Sequence, residues 1–131
     1  MKKPSNKSQT LEVIVKAKEL LEKGWCKNAF AITKSGDGIT ERRSLSCASE
    51  ESLTSYCLLG ALYKAIPTGE IGTSLEIKLT DTVGYLIGIP GVDSGRSLRA
   101  LISEWNDEED RRKEEVIYLL DKLYENFKAR V

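Results

Sequence analysis

The chain has 131 residues, and its twenty basic and twenty acidic side chains give a formal net charge of zero. This length suits one ordinary domain that needs no disulfide or metal to hold its core. A neutral molecule has no overall field to attract nucleic acid or an anionic membrane, so we expect neither as a partner. The sequence contains no histidine, which excludes Ser-His and Cys-His catalytic pairs and every histidine-ligated metal site.

Three cysteines stand at irregular spacing, at Cys26, Cys47 and Cys57. An odd number of cysteines is not a disulfide framework, and free thiols suit a reducing cytosol. They also cannot supply the four ligands of a cysteine-only zinc site, and we expect no cofactor. The basic N-terminus is not followed by the apolar core of a signal peptide, and no apolar run is long enough for a membrane span. We therefore expect a cytoplasmic protein.

The N-terminal part predicts a flexible arm over residues 1–8, followed by a single domain over 9–131. Thr10 is placed to cap a helix with apolar residues at helical spacing, and Gly24 ends that helix. A small β-hairpin is predicted near residues 29–42, because a Gly-Asp-Gly sequence supplies its turn.

The stretch around Tyr56 predicts the central helix of the fold. Arg43 to Cys47 is expected to be a linker, and the helix is expected to begin at Ser49 and to end before Pro67. The stretch is apolar most of the way round, which is typical of a helix buried by other helices.

Residues 75–87 fit a helix by length, although their first part also alternates as a strand does, and we leave both open. Residues 88–95 form a loop rich in glycine, and Ser97 caps the helix that follows. Asn106 and Asp107 are expected to interrupt that helix and to cap the last one, which begins at Asp107 or Glu108. The predicted fold is therefore mainly α: a compact single-domain bundle of about five helices with a small hairpin.

Four motifs occur in order along the chain: Gly24-Trp25-Cys26, Cys57 to Leu62, Trp105-Asn106-Asp107 and Glu114-Glu115-Val116. As a set they resemble a family of short bacterial and bacteriophage proteins that carry a domain of unknown function. The resemblance implies a bacterial or phage origin and brings no reaction, cofactor or partner with it. An arginine-threonine pair often follows the Trp-Asn-Asp step in that family, and Arg111-Arg112-Lys113 stands there in this chain.

The motif residues define one candidate site with two interpretations. In the first, two thiols, two indoles, an amide and a carboxylate converge on a pocket beside the central helix. In the second, the cysteines are small buried hydrophobes and the polar residues are helix caps. The residues concerned are Trp25, Cys26, Cys57, Trp105, Asn106 and Asp107.

Charged clusters supply two further candidates. The pair Arg42-Arg43 and the pair Arg111-Arg112, which Lys113 follows, are small basic clusters that could meet an acidic protein surface or a phosphate. Acids beside them make a solvated face the plain alternative. The acids of residues 107–110 match no calcium loop, and acids at a helix start are usually partners of the helix dipole. No metal site is predicted.

We therefore expect a non-enzymatic cytosolic protein that binds another protein. It would be phage- or mobile-element-derived and act on a host or defence protein. The alternative is a small-ligand or enzymatic pocket built on Cys26, Cys57, Trp105 and Asp107. Since a cysteine nucleophile needs a neighbour that lowers its pKa and histidine is missing, the expectation is binding rather than catalysis.

Overall fold

A computed structural model describes residues 6–67, 69, 73–88 and 97–130 of the chain. The described part is mainly helical and forms one compact domain, as the sequence predicts. Six α-helices are described: α1 Asn6–Lys23, α2 Arg42–Cys47, α3 Leu58–Ala65, α4 Ser74–Leu86, α5 Leu98–Asp107 and α6 Lys113–Lys128. Three short strands accompany them: β1 Ala31–Thr33, β2 Gly38–Ile39 and β3 Leu53–Tyr56.

Helix α3 is the centre of the molecule, and every residue from Leu58 to Tyr63 is buried. It is surrounded by α1, α2 and α5, while α1 also packs along α6. The two long helices run antiparallel, because Lys7 near the start of α1 contacts the Arg130 carbonyl and Lys113 at the start of α6 contacts the Glu22 carbonyl. Helix α3, which is apolar on all sides, lies inside the bundle that these helices form, as its sequence predicts.

The predicted central helix is shorter than its sequence pattern suggests. A 3₁₀ turn covers Glu50–Ser52, and the chain then continues as strand β3 up to Tyr56. The expected helix start at Ser49 is therefore wrong, and Tyr56 lies in a strand. Leu53 and Tyr56 are both fully buried, so tertiary packing determines the strand here.

The predicted hairpin exists as β1 and β2, and it is part of a larger sheet. The strand order is β2-β1-β3, with both pairings antiparallel. Gly36 in the turn has a φ of +93°, which is the left-handed conformation that a glycine permits. Because β3 pairs with β1, the hairpin is held against the rest of the fold, and a lone two-stranded ribbon is avoided.

Several predicted boundaries need correction. Helix α1 begins at Asn6, so residues 6–8 of the expected arm are helical, and residues 1–5 lie outside the described part. The expected linker Arg43 to Cys47 belongs to helix α2. Residues 74–86 are helical, which settles the choice left open there. The predicted loop over 88–95 lies outside the described residues apart from Gly88.

Helix α1 ends where Gly24 predicts, but for a different reason. The φ of Gly24 is not left-handed, and a Cβ placed on it would lie 2.2 Å from the Thr54 carbonyl oxygen. The glycine is needed because strand β3 passes directly over the helix end.

None of the helices in the described ranges is both long and apolar enough to cross a membrane.

Candidate functional site

Asn106, near the end of α5, is the centre of the motif cluster. Its side chain is completely buried. The amide oxygen accepts hydrogen bonds from the indole N–H of Trp25 at 2.8 Å and from the backbone N–H of Leu58 at 3.0 Å. The amide nitrogen donates to the Cys26 carbonyl at 3.1 Å and to the Asp107 carboxylate at 2.9 Å. The full hydrogen-bonding capacity of this amide is therefore used inside the protein.

Trp25 and Cys26 reach Asn106 because their segment runs beside strand β3. The Cys26 N–H donates to the Tyr56 carbonyl at 3.0 Å, and the Tyr56 N–H donates to the Gly24 carbonyl at 2.9 Å. Burial raises the pKa of the half-buried Cys26 thiol, a hydrogen bond with Ser55 opposes this rise, and the Asp107 carboxylate adds to it. The thiol is therefore held in its neutral form.

Cys57 has a capping role that the sequence did not indicate. Its sulfur accepts the backbone N–H of Gly60 at 3.2 Å at the start of α3. Burial raises the pKa of this thiol to about 12. Since only a thiolate is a good nucleophile, Cys57 is suited to structure and not to covalent catalysis.

Gly60 is required by the same junction. A Cβ on Gly60 would lie 1.9 Å from the Phe30 carbonyl oxygen, and the Phe30 carbonyl accepts the Cys57 N–H at 3.0 Å. The glycine in the central motif therefore lets the segment before β1 touch the start of α3.

Asp107 is the last residue of α5 and does not cap the final helix as predicted. One of its carboxylate oxygens accepts the Asn28 N–H at 3.1 Å, where Asn28 has the uncommon φ of 67°. Helix α6 begins instead at Lys113, and the Glu115 carboxylate accepts the Arg112 N–H at 2.8 Å. The predicted start at Asp107 or Glu108 is wrong because the acids there belong to the turn between α5 and α6.

Trp105 and Arg111 form a separate unit at that turn. The Arg111 guanidinium lies 3.8 Å from the centre of the Trp105 ring, and its Nε donates to the Trp105 carbonyl at 2.8 Å. Its other nitrogens pair with Glu108 at 2.8 Å and with Glu115 at 3.6 Å. Arg111 is thus a structural residue, while Arg112 is exposed. The two arginines of this basic pair, both predicted as binding residues, therefore have different environments.

The first basic pair divides in the same way. Arg42 forms a two-pronged ion pair with the buried Glu76, and its guanidinium lies 3.9 Å from the centre of the Tyr63 ring. Arg43 is exposed. Glu76 is not a residue that the sequence predicted for a site, and the one signal for it there is an acid within the apolar pattern of α4.

The structure brings five of the eight predicted site residues together: Trp25, Cys26, Cys57, Asn106 and Asp107. Trp105 turns away towards Arg111, and Arg112 lies apart from the cluster. A cleft of about 380 Å³ lies beside the cluster, lined by Asn28, Ala29, Phe30, Thr40, Cys57, Ser103 and Asp107. The cluster is therefore mainly a structural junction of α3, α5 and the segment before β1, with Cys57 and Asp107 also facing this cleft.

A second concave surface, not predicted from the sequence, runs between α1 and α6. Two adjoining hollows of about 410 and 430 Å³ share Val15, Glu19 and Tyr124. We call their combined surface the α1–α6 groove. Its lining also includes Ser8, Leu11, Glu12, Ile14, Lys16, Lys18, Glu22, Leu120, Asp121 and Glu125. The groove thus combines an apolar floor, in which Val15 is 44% exposed, with a charged rim.

Comparisons with known proteins place the chain in a family. No curated protein matches it. No solved structure matches it. The model of a family of unknown function, DUF6197, matches residues 5–126, a range that contains all four motifs and every candidate residue described above. The chain therefore belongs to the DUF6197 family.

Proposed function

We propose that this protein is a non-enzymatic binding protein and that its partner is another protein, which docks in the α1–α6 groove. The observation that carries the proposal is the groove itself, where an exposed aliphatic side chain and a half-buried tyrosine, Val15 and Tyr124, line an open concave surface. Apolar and tyrosine side chains in an open groove are the features through which proteins commonly anchor partners.

The state of the motif cluster supports binding over catalysis. The buried Asn106 amide forms all its hydrogen bonds with other groups of the protein, and burial raises the pKa of the Cys57 thiol to about 12. A catalytic thiol needs the opposite shift. The motif residues are therefore better suited to holding the fold than to carrying out a reaction.

The cellular setting is part of the proposal. Free thiols at Cys26, Cys47 and Cys57 are compatible with a reducing cytoplasm. The resemblance noted above includes bacteriophage proteins, so we propose a phage- or mobile-element-derived protein that acts on a host or defence protein.

Capture of partners from a bacterial lysate with the tagged protein tests this proposal. Val15→Gln places a polar group on the groove floor and should abolish capture of a specific protein. Tyr118→Gln is the matched control, because Tyr118 is 61% exposed and lines a different hollow, beside Leu86 of α4. Capture that survives Val15→Gln and is lost with Tyr118→Gln would move the binding surface to the cleft between α4 and α6 and refute the proposal.

A second candidate is a small-ligand site in the cleft beside Cys57 and Asp107, favoured by the shared lining of this cleft and the motif cluster. A collection of small molecules can be tested for ligands that raise the melting temperature. A true cleft ligand should lose its effect in Thr40→Trp, which narrows the cleft at an exposed position. An effect that is the same in the variant would place the ligand elsewhere.

A further inference from the structure

The α1–α6 groove is acidic although the whole chain is neutral. Among the described residues, five carboxylates and two lysines line it, which gives these side chains a net charge of −3 on a chain with a formal net charge of +0. The carboxylates are those of Glu12, Glu19, Glu22, Asp121 and Glu125. An excess of one sign along a concave surface attracts ligands of the opposite sign.

Both lysines of the groove are already paired. Lys16 contacts Glu50, outside the groove, at 2.9 Å, and Lys18 contacts Asp121 at 2.7 Å. Within the described residues no ion pair involves Glu12, Glu19 or Glu125. These three carboxylates, all exposed, therefore remain available to a partner's cations.

The shape of the groove indicates the kind of segment that fits it. Its lining extends along α1 from Ser8 to Glu22, which is about 21 Å at 1.5 Å per residue. Leu11, Val15 and Tyr124 contribute apolar surface to its lining, and the carboxylates contribute negative charge. A long groove with an apolar floor between two antiparallel helices is suited to a third helix that lays its apolar face inside.

We infer that the α1–α6 groove binds a basic amphipathic α-helix of a partner protein. This inference rests on the proposed function and adds the chemistry of the partner. The helix carries an apolar stripe that contacts Val15 and Tyr124, and lysine or arginine beside the stripe pairs with Glu12, Glu19 and Glu125.

Synthetic helical peptides test the inference without knowledge of the natural partner. The probe has about 14 residues, the length that spans the groove at 1.5 Å per residue, with leucine at positions i, i+3, i+4 and i+7 and lysine on the flanks. One control peptide carries glutamate in place of lysine, and another carries serine in place of leucine. Fluorescence anisotropy should show binding of the probe at least about tenfold tighter than of either control, and this binding should weaken when salt screens the charges.

Charge-reversal variants place the peptide on the groove. Glu19→Lys combined with Glu125→Lys should weaken probe binding by at least about tenfold. Glu51→Lys combined with Asp110→Lys makes the same change in net charge at exposed positions outside the groove, and it should change binding by less than about threefold. Unchanged melting temperatures in both variants exclude misfolding as the cause.

The outcomes separate this inference from the proposed function. Equal binding of the lysine and glutamate peptides, or equal weakening by the two variant pairs, overturns the inference. If Val15→Gln abolishes capture of a partner from lysate while the lysine peptide does not bind, the groove docks a protein of other chemistry, so the inference fails and the proposed function stands. If sedimentation shows a dimer of this chain that Glu19→Lys with Glu125→Lys disrupts, the occupant is a second copy and the inference is also overturned.

Discussion

Replacing Asn106 with alanine should strongly destabilise the protein, because this one amide joins three parts of the chain. The change leaves the Trp25 indole N–H, the Leu58 backbone N–H and the Cys26 carbonyl without their partner. Each buried group left unsatisfied costs about 1–3 kcal/mol. Trp25 and Cys26 are half-buried, so water reaches them and their costs lie near the lower end. The expected total is about 3–5 kcal/mol.

Urea unfolding followed by far-ultraviolet circular dichroism measures this loss. With a slope of about 1–3 kcal/mol per molar urea, a loss of this size lowers the midpoint by about 2 M. Asn126→Ala is the matched control, since the Asn126 amide oxygen accepts hydrogen bonds from the exposed Arg130 and from no other part of the chain that the structure describes. This change should cost less than about 1 kcal/mol. If the urea midpoint of Asn106→Ala shifts no more than that of Asn126→Ala, the structural role of Asn106 is refuted.

Asn106→Asp tests the same site through pH. A carboxyl group buried there beside Asp107 is disfavoured in its charged form, so its pKa in the folded state should rise above the unfolded value of about 3.9. A group with a raised folded pKa binds more protons in the folded state, so its contribution to stability is lost as pH rises. The variant should therefore be closer in stability to the unmodified protein at pH 4 than at pH 7, and the opposite trend would contradict the burial of this side chain.

Three further predictions concern the thiols, a glycine and the second basic pair. A thiol reagent at neutral pH should modify the exposed Cys47 quickly and the buried Cys57 only after unfolding, because burial raises the Cys57 pKa to about 12. Mass spectrometry locates the modified cysteines, and rapid modification of Cys57 in the folded protein would contradict this prediction. Gly60→Ala should lower stability by more than about 2 kcal/mol or prevent folding, since its Cβ would overlap the Phe30 carbonyl oxygen, an overpacking cost of the expected size. Gly69→Ala is its control, since no atom of the described residues lies within 4 Å of the added carbon. Equal melting temperatures of the two variants would refute the close approach. Arg111→Ala should lower stability by about 1–2 kcal/mol, because the guanidinium stacks on Trp105 and donates a hydrogen bond to its carbonyl. Arg112→Ala, at an exposed position, should lower it by less than about 0.5 kcal/mol. Thermal unfolding compares the two variants, and equal losses of stability would contradict their different environments.

The long helices could be predicted from the sequence because their periodicity extends over several turns. Helices α1, α4, α5 and α6 all show apolar residues at helical spacing, and the fold class follows from them. Ser97 was identified as a cap, and its hydroxyl does accept the Ala100 N–H at 3.1 Å. Local chemistry was sufficient for these features.

The region between Ser49 and Cys57 shows where periodicity fails. Four residues of strand are too few for a period to be measured, and Leu53, Cys57 and Ala61 fit one face of a helix equally well. Only pairing with Ala31 and Ile32, more than twenty residues earlier, makes β3 a strand. The predicted start of α6 was wrong for a related reason. The acids at Asp107–Asp110 resemble a helix start, while Glu115 supplies the actual cap.

The candidate site was found as a set of residues but not as an arrangement. The motifs indicated that Trp25, Cys57 and Asn106 belong together. In the structure Asn106 bonds the Trp25 indole and the backbone of Leu58, the residue after Cys57. Sequence could not show that Asn106 bonds atoms 81 and 48 residues away, because such contacts depend on the completed fold. The α1–α6 groove was missed because its lining comes from two helices at opposite ends of the chain.

The bonds of Asn106 also affect how the protein can fold during synthesis. Domains commonly begin to fold from the N-terminus as the chain is made. Here the backbone N–H of Leu58, at the start of the central helix, donates its hydrogen bond to the side chain of Asn106, 48 residues later in the chain. The side chain of Lys7 likewise donates to the Arg130 carbonyl, 123 residues later. A nascent chain that has not yet released residues 106–130 therefore lacks both α6 and the partner of this N–H, and its apolar α3 remains incompletely covered. The native fold should therefore form only after α6 has left the ribosome, and a ribosome-bound chain that stops before α6 should remain open to proteases.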